Sequence, residues 1–380
     1  MASPSLQILE SARLTAIINT LQDARNIPAE LRFLGRTPQI PVVDGELLAR
    51  FVGYISIADI IADDQAATVY TTGKIQFEAT NIPNIKAGET VSQSMLNLLQ
   101  SVAAGMANAS DMGLFSDYLN RVMDNRLLAV RQRMEQMIVA MQLDAFSYDR
   151  FGVKLTNATW GMPADLKVTV AVGWDNVSAD GIGDILAQLL YASVRYGKVY
   201  NRITMSTSAF NYLTAQTSFA TRARATFFPS VVGATLPNQS MQAMRPIVEA
   251  LTGLQIELYD ARYFQQAADG MSASSPFLPI TKAILSNTGD DNRADIMDWG
   301  NATVTETLVG SIAPTNIIGG LGAGPQRGPI AYATVPADLN PPNVTMFGVA
   351  RGFPQKRQLQ ATSVLTLGTF TSPIPTTNPF

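Results

Sequence analysis

The sequence predicts an α+β protein of several parts, and three patterns carry that reading. A helical pattern runs without Gly or Pro from Ser116 to about residue 144. Two runs rich in β-branched and aromatic residues, Phe51–Ile61 and Thr68–Phe77, precede it. From about Trp174 to Leu285, helix and strand signals alternate in an α/β manner. The chain has 380 residues, the length of two or three ordinary domains, and is long enough to bury a real core.

Taken in order, the first forty residues are mixed. Within Ala12–Ala24, residues Leu14, Ile17, Ile18 and Leu21 stand at helical spacing. Pro28, Gly35, Pro38 and Pro41 then predict extended chain. No second apolar face lies nearby, so the stretch reads as an arm that needs something else to lie on. In the two strand-like runs Ile55 alternates with Ile57 and Ile75 with Phe77, and the polar segment Ala62–Gln65 lies between them. A two-stranded ribbon is marginal in water by itself. It is therefore either a hairpin of a larger sheet or an excursion that lies on another subunit.

Gln93–Ala107 reads as a short helix, broken near Gly105 and Gly113. Ser116 then serves as N-cap of the strongest element. Leu119, Val122, Met123, Leu127, Val130, Met134, Met137, Ile138 and Met141 repeat at three- and four-residue steps. Arg121, Asp124, Arg126, Arg131, Arg133 and Glu135 fall on the remaining faces. A helix of about 28 residues spans ~42 Å, longer than the usual ~10–14 residues. Its methionine stripe reads as packing against a curved sheet rather than as a cofactor site.

Two strands are expected around Pro163, between Phe151 and Val172. Ile182–Tyr196 reads as a helix with Ile185, Leu186, Leu189, Leu190 and Val194 on one side. Strand Arg202–Met205 follows, with Ser206–Ser208 capping a helix through Leu213. A helix over Gln242–Leu251 ends at Gly253 and leads to strands Gln255–Tyr259 and Lys282–Leu285. The last strong strand is Ser363–Leu367, before a Pro- and Thr-rich tail.

Composition narrows the function. The chain is 47% hydrophobic and 15% charged, with a net charge of −3, which argues against a dedicated nucleic-acid binder. It has no cysteine and no histidine. Disulfides, thiolate nucleophiles and zinc knuckles are excluded. So are the commonest general base and the usual transition-metal ligand. The first residues lack the basic start and apolar core of a secretory signal. The longest apolar runs, such as Met137–Met141, are too short to span a bilayer. A soluble protein made in a cytoplasm is expected.

The motifs that could carry chemistry fail on inspection. Gly319–Gly324 lacks the Gly-Lys-Ser/Thr ending of a phosphate loop and the spacing of a dinucleotide fingerprint. It reads as a loop at a symmetry axis or contact between subunits. The acids Asp63-Asp64, Asp290-Asp291 and Asp295/Asp298 stand in polar, turn-like sequence and read as solvated. Ser206-Thr207-Ser208 has no nucleophile elbow around it and reads as a helix cap. Arginine outnumbers lysine almost three to one, which suits bidentate contacts at interfaces.

The order of parts resembles the major capsid protein of tailed bacteriophages, the Hong Kong 97-type fold, and within it the lambda-type capsid E family. The stretches that carry the likeness are Arg131-Gln132-Arg133-Met134-Glu135, Tyr148-Asp149-Arg150-Phe151-Gly152 and Trp160. Ile203-Thr204-Met205-Ser206 and Arg351-Gly352-Phe353-Pro354 add to it, although Arg150 interrupts the family's D-F-G-like element. The resemblance implies an N-terminal arm over 1–45 and an extended β-hairpin loop over 46–91. It implies a peripheral domain over 92–172, with its spine helix at 116–144, an axial domain over 173–335, and a return to the peripheral domain over 336–380. No catalytic residue, cofactor or metal is expected.

The implied function is a major head protein whose hexamers and pentamers self-assemble into an icosahedral shell around double-stranded DNA. Its implied partners are further copies of itself, portal and scaffolding proteins, a decoration protein in some systems, and packaged DNA through non-specific contacts; no membrane is involved. In some relatives neighbouring chains are joined by Lys–Asn bonds, for which Lys74, then Lys86, are the candidates. The alternatives are an encapsulin-like compartment, a tail-tube protein, and a carboxylate-dependent enzyme with its site in the α/β region. On the shell reading the arm and ribbon order only on neighbouring subunits, and deleting residues 1–40 abolishes shells while leaving the other domains foldable.

Overall fold

A computed structural model describes residues 29–37, 39–41, 47–52, 74–79, 84–90, 109–150, 153–158, 160–227, 241–266, 272–289, 295–299, 301–302, 326–327, 330–334, 345–356 and 358–369. Among them are six α-helices: α1 (Arg32–Arg36), α2 (Ala109–Gln142), α3 (Gly181–Tyr196), α4 (Thr207–Ala215), α5 (Thr217–Phe227) and α6 (Met241–Thr252). The chain divides into two compact units. One takes Met1–Leu47, Ala79–Gln136 and Met297–Pro354; the other takes Leu48–Glu78, Met137–Ile296 and Gln355–Phe380.

In the first unit, α2 lays down the predicted apolar face. Val122, Leu127, Val130 and Met134 are buried, as are Met137, Ile138 and Met141 farther along. The helix begins earlier than expected and runs through Gly113. One interior glycine costs about 1 kcal/mol, too little to stop a helix of this length. Arg131 and Glu135, expected on an outer face, are instead 9% and 0% exposed. The cause is α1, in the segment expected to be extended. A five-residue helix cannot hold itself in water. Burial of Leu31, Phe33 and Leu34 holds this one, and so does Glu135, which supplies acceptors for its first-turn N–H groups.

The sheet of this unit has the order Gln39–Pro41, Asp295–Trp299, Thr345–Lys356, Ile330–Thr334, with Asn84–Thr90 also paired to Thr345–Lys356. Gln39–Pro41 runs parallel to Asp295–Trp299, and both partners of the 345–349 segment are antiparallel to it. Asp295 and Asp298 thus lie on a strand, correcting the turn context expected for them. The sheet meets α2 at Gly348: a Cβ there would stand 2.7 Å from the Arg126 carbonyl oxygen. Only a bare α-carbon allows this approach. The Arg126 side chain meanwhile reaches Glu89 at 2.8 Å.

The second unit is an α/β structure around a five-stranded sheet. Its order is Lys167–Thr169, Thr362–Thr366, Lys282–Ser286, Arg202–Met205, Gln255–Leu258. The two outer pairings are parallel and the two inner ones antiparallel. Ile203, Met205, Ile256, Ala283, Leu285, Val364 and Leu365 are buried with Trp174, Ile185, Phe210 and Phe219 in one core cluster. The strands and helices expected between Ile182 and Leu285 are present within a residue or two of their expected bounds. Gly253, at φ +69°, ends α6 as its sequence position predicts.

Beside three differences that have physical causes, the last strand is present over Thr362–Thr366, where it pairs with Lys282–Ser286 and Lys167–Thr169. Its five residues are almost wholly buried, a demand only a central strand meets. Of the two strands expected around Pro163, both are present, as Val153–Ala158 and Lys167–Thr169; the strand Phe146–Arg150, which pairs with Val153–Ala158 directly after α2, was not expected. On α3, Leu190 and Val194 are 67% and 79% exposed, because the buried face centres on Ile182, Ile185, Gln188 and Ala192. Helix α5 was not expected; of its residues only Phe219 and Ala223 are buried, so it carries almost no apolar period.

Leu47–Val52 pairs with Lys74–Ala79 as a two-stranded sheet. The remainder of the two runs expected at 51–61 and 68–77 lies outside the described residues, as do the helices expected at 12–24 and 93–107.

Candidate functional site

A site for chemistry would need titratable groups that the fold leaves unspent. Among the described residues no three His, Cys, Asp or Glu side chains gather where a metal ion could sit. No helix there is long and apolar enough to cross a membrane. Ser206 is the N-cap of α4, its Oγ accepting the Ala209 N–H at 3.1 Å. Thr207 donates its N–H to Asp260 at 2.9 Å, and its hydroxyl bonds the same carboxylate. The expected cap is therefore what the trio forms. Asp63-Asp64, Asp290-Asp291 and Gly319–Gly324 lie outside the described residues. Lys74 and Lys86 lie on strands.

Among the described residues, the buried charges Glu135, Asp144, Arg202, Glu257 and Lys356 serve the fold. Glu135 accepts the N–H groups of Phe33 at 3.1 Å and Leu34 at 2.6 Å. Asp144 stands at φ +52° in the turn that ends α2, where the Ala145 N–H returns to the Ala140 carbonyl. A left-handed conformation is tolerable for Asp. Its carboxylate accepts the Trp160 N–H at 2.6 Å and meets Lys167 Nζ at 2.7 Å. Arg202 donates to Ser286 Oγ at 2.9 and 3.1 Å and faces Glu257 at 3.7 Å, while Thr204 donates to Glu257 at 3.1 Å. Lys356, fully buried, bonds the Thr362 hydroxyl. None of these presents a reactive group to solvent beside an open position for a substrate.

The surface of the second unit has more to offer. Along α3 and the adjoining strand edge, Asp165 accepts the hydroxyls of Tyr191 at 2.8 Å and Tyr196 at 2.6 Å. These bonds, that of Tyr196 first, hold its carboxyl below the usual range. Asp184, in the first turn of α3, accepts the Trp174 Nε1–H at 3.0 Å. Burial pushes its carboxyl up. Val172, Val177, Leu190, Val194 and Val199 are between 44% and 79% exposed in the same unit.

Residues 11–297 match the family model described as phage major capsid protein E. The chain belongs to that family. Among solved structures it is similar to a prophage protein of E. coli CFT073 described as a capsid protein, with 13% identity and a TM-score of 0.53. That match covers 93% of this chain and 97% of the other. A phage-related protein from Bordetella bronchiseptica RB50 follows, at 13% identity and a TM-score of 0.47, covering 93% and 95%. The mature capsid of bacteriophage PhiM1 gives 9% identity and a TM-score of 0.45, covering 89% and 87%. No curated protein sequence matches the chain.

The fold is the mixed α+β fold of Hong Kong 97-type capsid proteins. The protein is a structural component of a phage capsid, and so of the virion, and it is not an enzyme. Capsid proteins assemble with copies of themselves in shells. Sequence reasoning missed Glu135 and Asp144 as structural centres. The available signal for Glu135 was its register, four residues after Arg131 and three before Ile138 on the apolar side of α2. Asp144 carried no such signal.

Proposed function

We propose that this chain is the major head protein of a tailed bacteriophage, assembling through hexamers and pentamers into an icosahedral shell that encloses double-stranded DNA. The family match over residues 11–297 carries the reading. The lack of any cysteine or histidine agrees with it, since shell assembly asks for complementary surfaces and no reactive centre. Assembly takes place in the cytoplasm of the bacterial host. A portal, a scaffold and in some cases a decoration protein complete the head. With a net charge of −3, contact with packaged DNA is limited to scattered arginines and reads no sequence.

Within the shell, residues 46–91 act as the loop that reaches a neighbour, 92–172 as the peripheral domain and 173–335 as the axial domain. The arm that depends on neighbours ends near residue 28, because Leu31, Phe33 and Leu34 are already buried in a single subunit. Sedimentation of the purified chain beside a variant lacking residues 1–28 tests this. The full chain sediments as shells or capsomers and the shortened one as folded subunits that build no shell. A full chain that stays a small discrete oligomer contradicts the reading.

A further inference from the structure

The strand edge Lys167–Thr169 and the first turns of α3 border an open groove of 450 Å³. Val168, Val170, Ala187 and Leu365 give it apolar walls, and its two charged groups are both carboxylates, Asp165 and Asp184. Asp165 is engaged by two tyrosine hydroxyls. Asp184 has the Trp174 indole as donor and pairs with no lysine or arginine among the described residues; the charge that acts on it is Asp180, of like sign. Asp180 has its own cation, Arg222 at 2.6 Å. Next to the groove, Val172 and Leu190 are 44% and 67% exposed. A half-buried carboxylate with no counter-ion, walled by aliphatic side chains, is poorly satisfied in a lone subunit.

We propose that this groove receives an arginine side chain from a second copy of the chain, the guanidinium meeting Asp184 and its methylene stem lying along Val168, Val170 and Leu365. The inference rests on the capsid reading and adds to it a contact face and the chemistry of its occupant. Charge complementarity selects a cation. Arginine fits better than lysine because its stem packs on apolar walls while its planar head can bond the carboxylate side-on. The chain itself supplies 20 arginines against 7 lysines. Addition of a peptide strand to the edge is disfavoured, since that strand has three residues and carries Lys167, tied to Asp144 at 2.7 Å.

The absence of cysteine provides the test. Ala187, exposed within the groove, is changed to Cys in the full chain, and maleimide labelling is followed in assembled particles and in subunits dissociated from them. The thiol labels readily in subunits and is protected in particles. Asp184→Asn and Asp184→Arg, in the otherwise native chain, lower particle yield by roughly tenfold or more, while the dissociated subunits melt no lower than the parent. Equal labelling in both states overturns the inference. Protection combined with undiminished assembly of both Asp184 variants also overturns it, because the occupant is then not a cation. Failure of the parent chain to form particles contradicts the capsid reading itself, a result distinct from either.

Discussion

Glu135 and Leu34 are 101 residues apart in the chain, yet the carboxylate of one accepts the backbone N–H of the other at 2.6 Å. The second oxygen accepts the N–H of Phe33 at 3.1 Å. A single buried side chain thus caps a helix too short to persist by itself. It ties the helix Arg32–Arg36 to α2 within one subunit.

The first prediction concerns that cap. Glu135→Ala leaves two buried N–H groups unpaired and costs about 3 kcal/mol; Glu135→Gln keeps an acceptor and costs about 1 kcal/mol. Urea denaturation of dissociated subunits gives the ranking. Limited proteolysis shows new cleavage within 29–37 for the Ala variant.

Gly348 gives a second. With its would-be Cβ 2.7 Å from the Arg126 carbonyl oxygen and 2.8 Å from the carbonyl carbon, Gly348→Ala must push sheet and helix apart. A loss of about 2 kcal/mol is expected in the denaturation midpoint. Gly35→Ala is the control. Nothing lies within 4 Å of its added carbon, and it sits inside α1. It should be neutral or stabilising by up to about 1 kcal/mol.

Asp144 gives a third. Asp144→Ala keeps the left-handed backbone while discarding the acceptor for Trp160 N–H, and costs about 2–3 kcal/mol. Asp144→Asn tolerates the same backbone and still accepts from Trp160, so it loses less. Thermal melting of the two variants should separate them in that order, and equal melting would remove the carboxylate from the account.

What the sequence showed and what it hid follow one physical rule. Elements with a strong apolar period were legible: α3 and the buried strands Arg202–Met205 and Lys282–Ser286 lie where their patterns place them, and α2 covers its pattern but begins at Ala109 rather than Ser116. Elements held by contacts distant in sequence were not. Helix α1 has no period of its own and depends on Glu135. The exposure of Leu190 and Val194 depends on which side of α3 meets the core, a choice fixed partly by Gln188 bonding Ser363 at 2.8 Å. The groove is likewise built from three separate stretches, 165–171, 184–191 and Leu365, and no local motif announces it.

The two groove carboxylates give the fourth prediction, because they respond to pH in opposite senses. Asp165 is held low by the hydroxyls of Tyr196 and Tyr191, with burial opposing them. Its contribution is complete above the ordinary Asp value of about 4 and is lost as pH falls through its lower folded value. Asp184 is raised by burial and by Asp180, against the Trp174 hydrogen bond. It costs stability at neutral pH, and the cost disappears as pH falls through its raised folded value toward about 4. Asp165→Asn should therefore lower the melting temperature of dissociated subunits at neutral pH, and Asp184→Asn should raise it. Both differences shrink in acid. Shifts of the same sign would show that the two groups do not sit in the environments described.

On the proposed function, the chain works only by joining copies of itself into a closed container. Cryo-electron microscopy of material purified from cells expressing the full chain is the decisive experiment. It should show closed shells with five-fold and six-fold clusters of subunits, each keeping helix Arg32–Arg36 against its own Glu135. A population made only of monomers, or of an oligomer that is neither a five-fold nor a six-fold capsomer, under conditions where the subunit is folded, would overturn this.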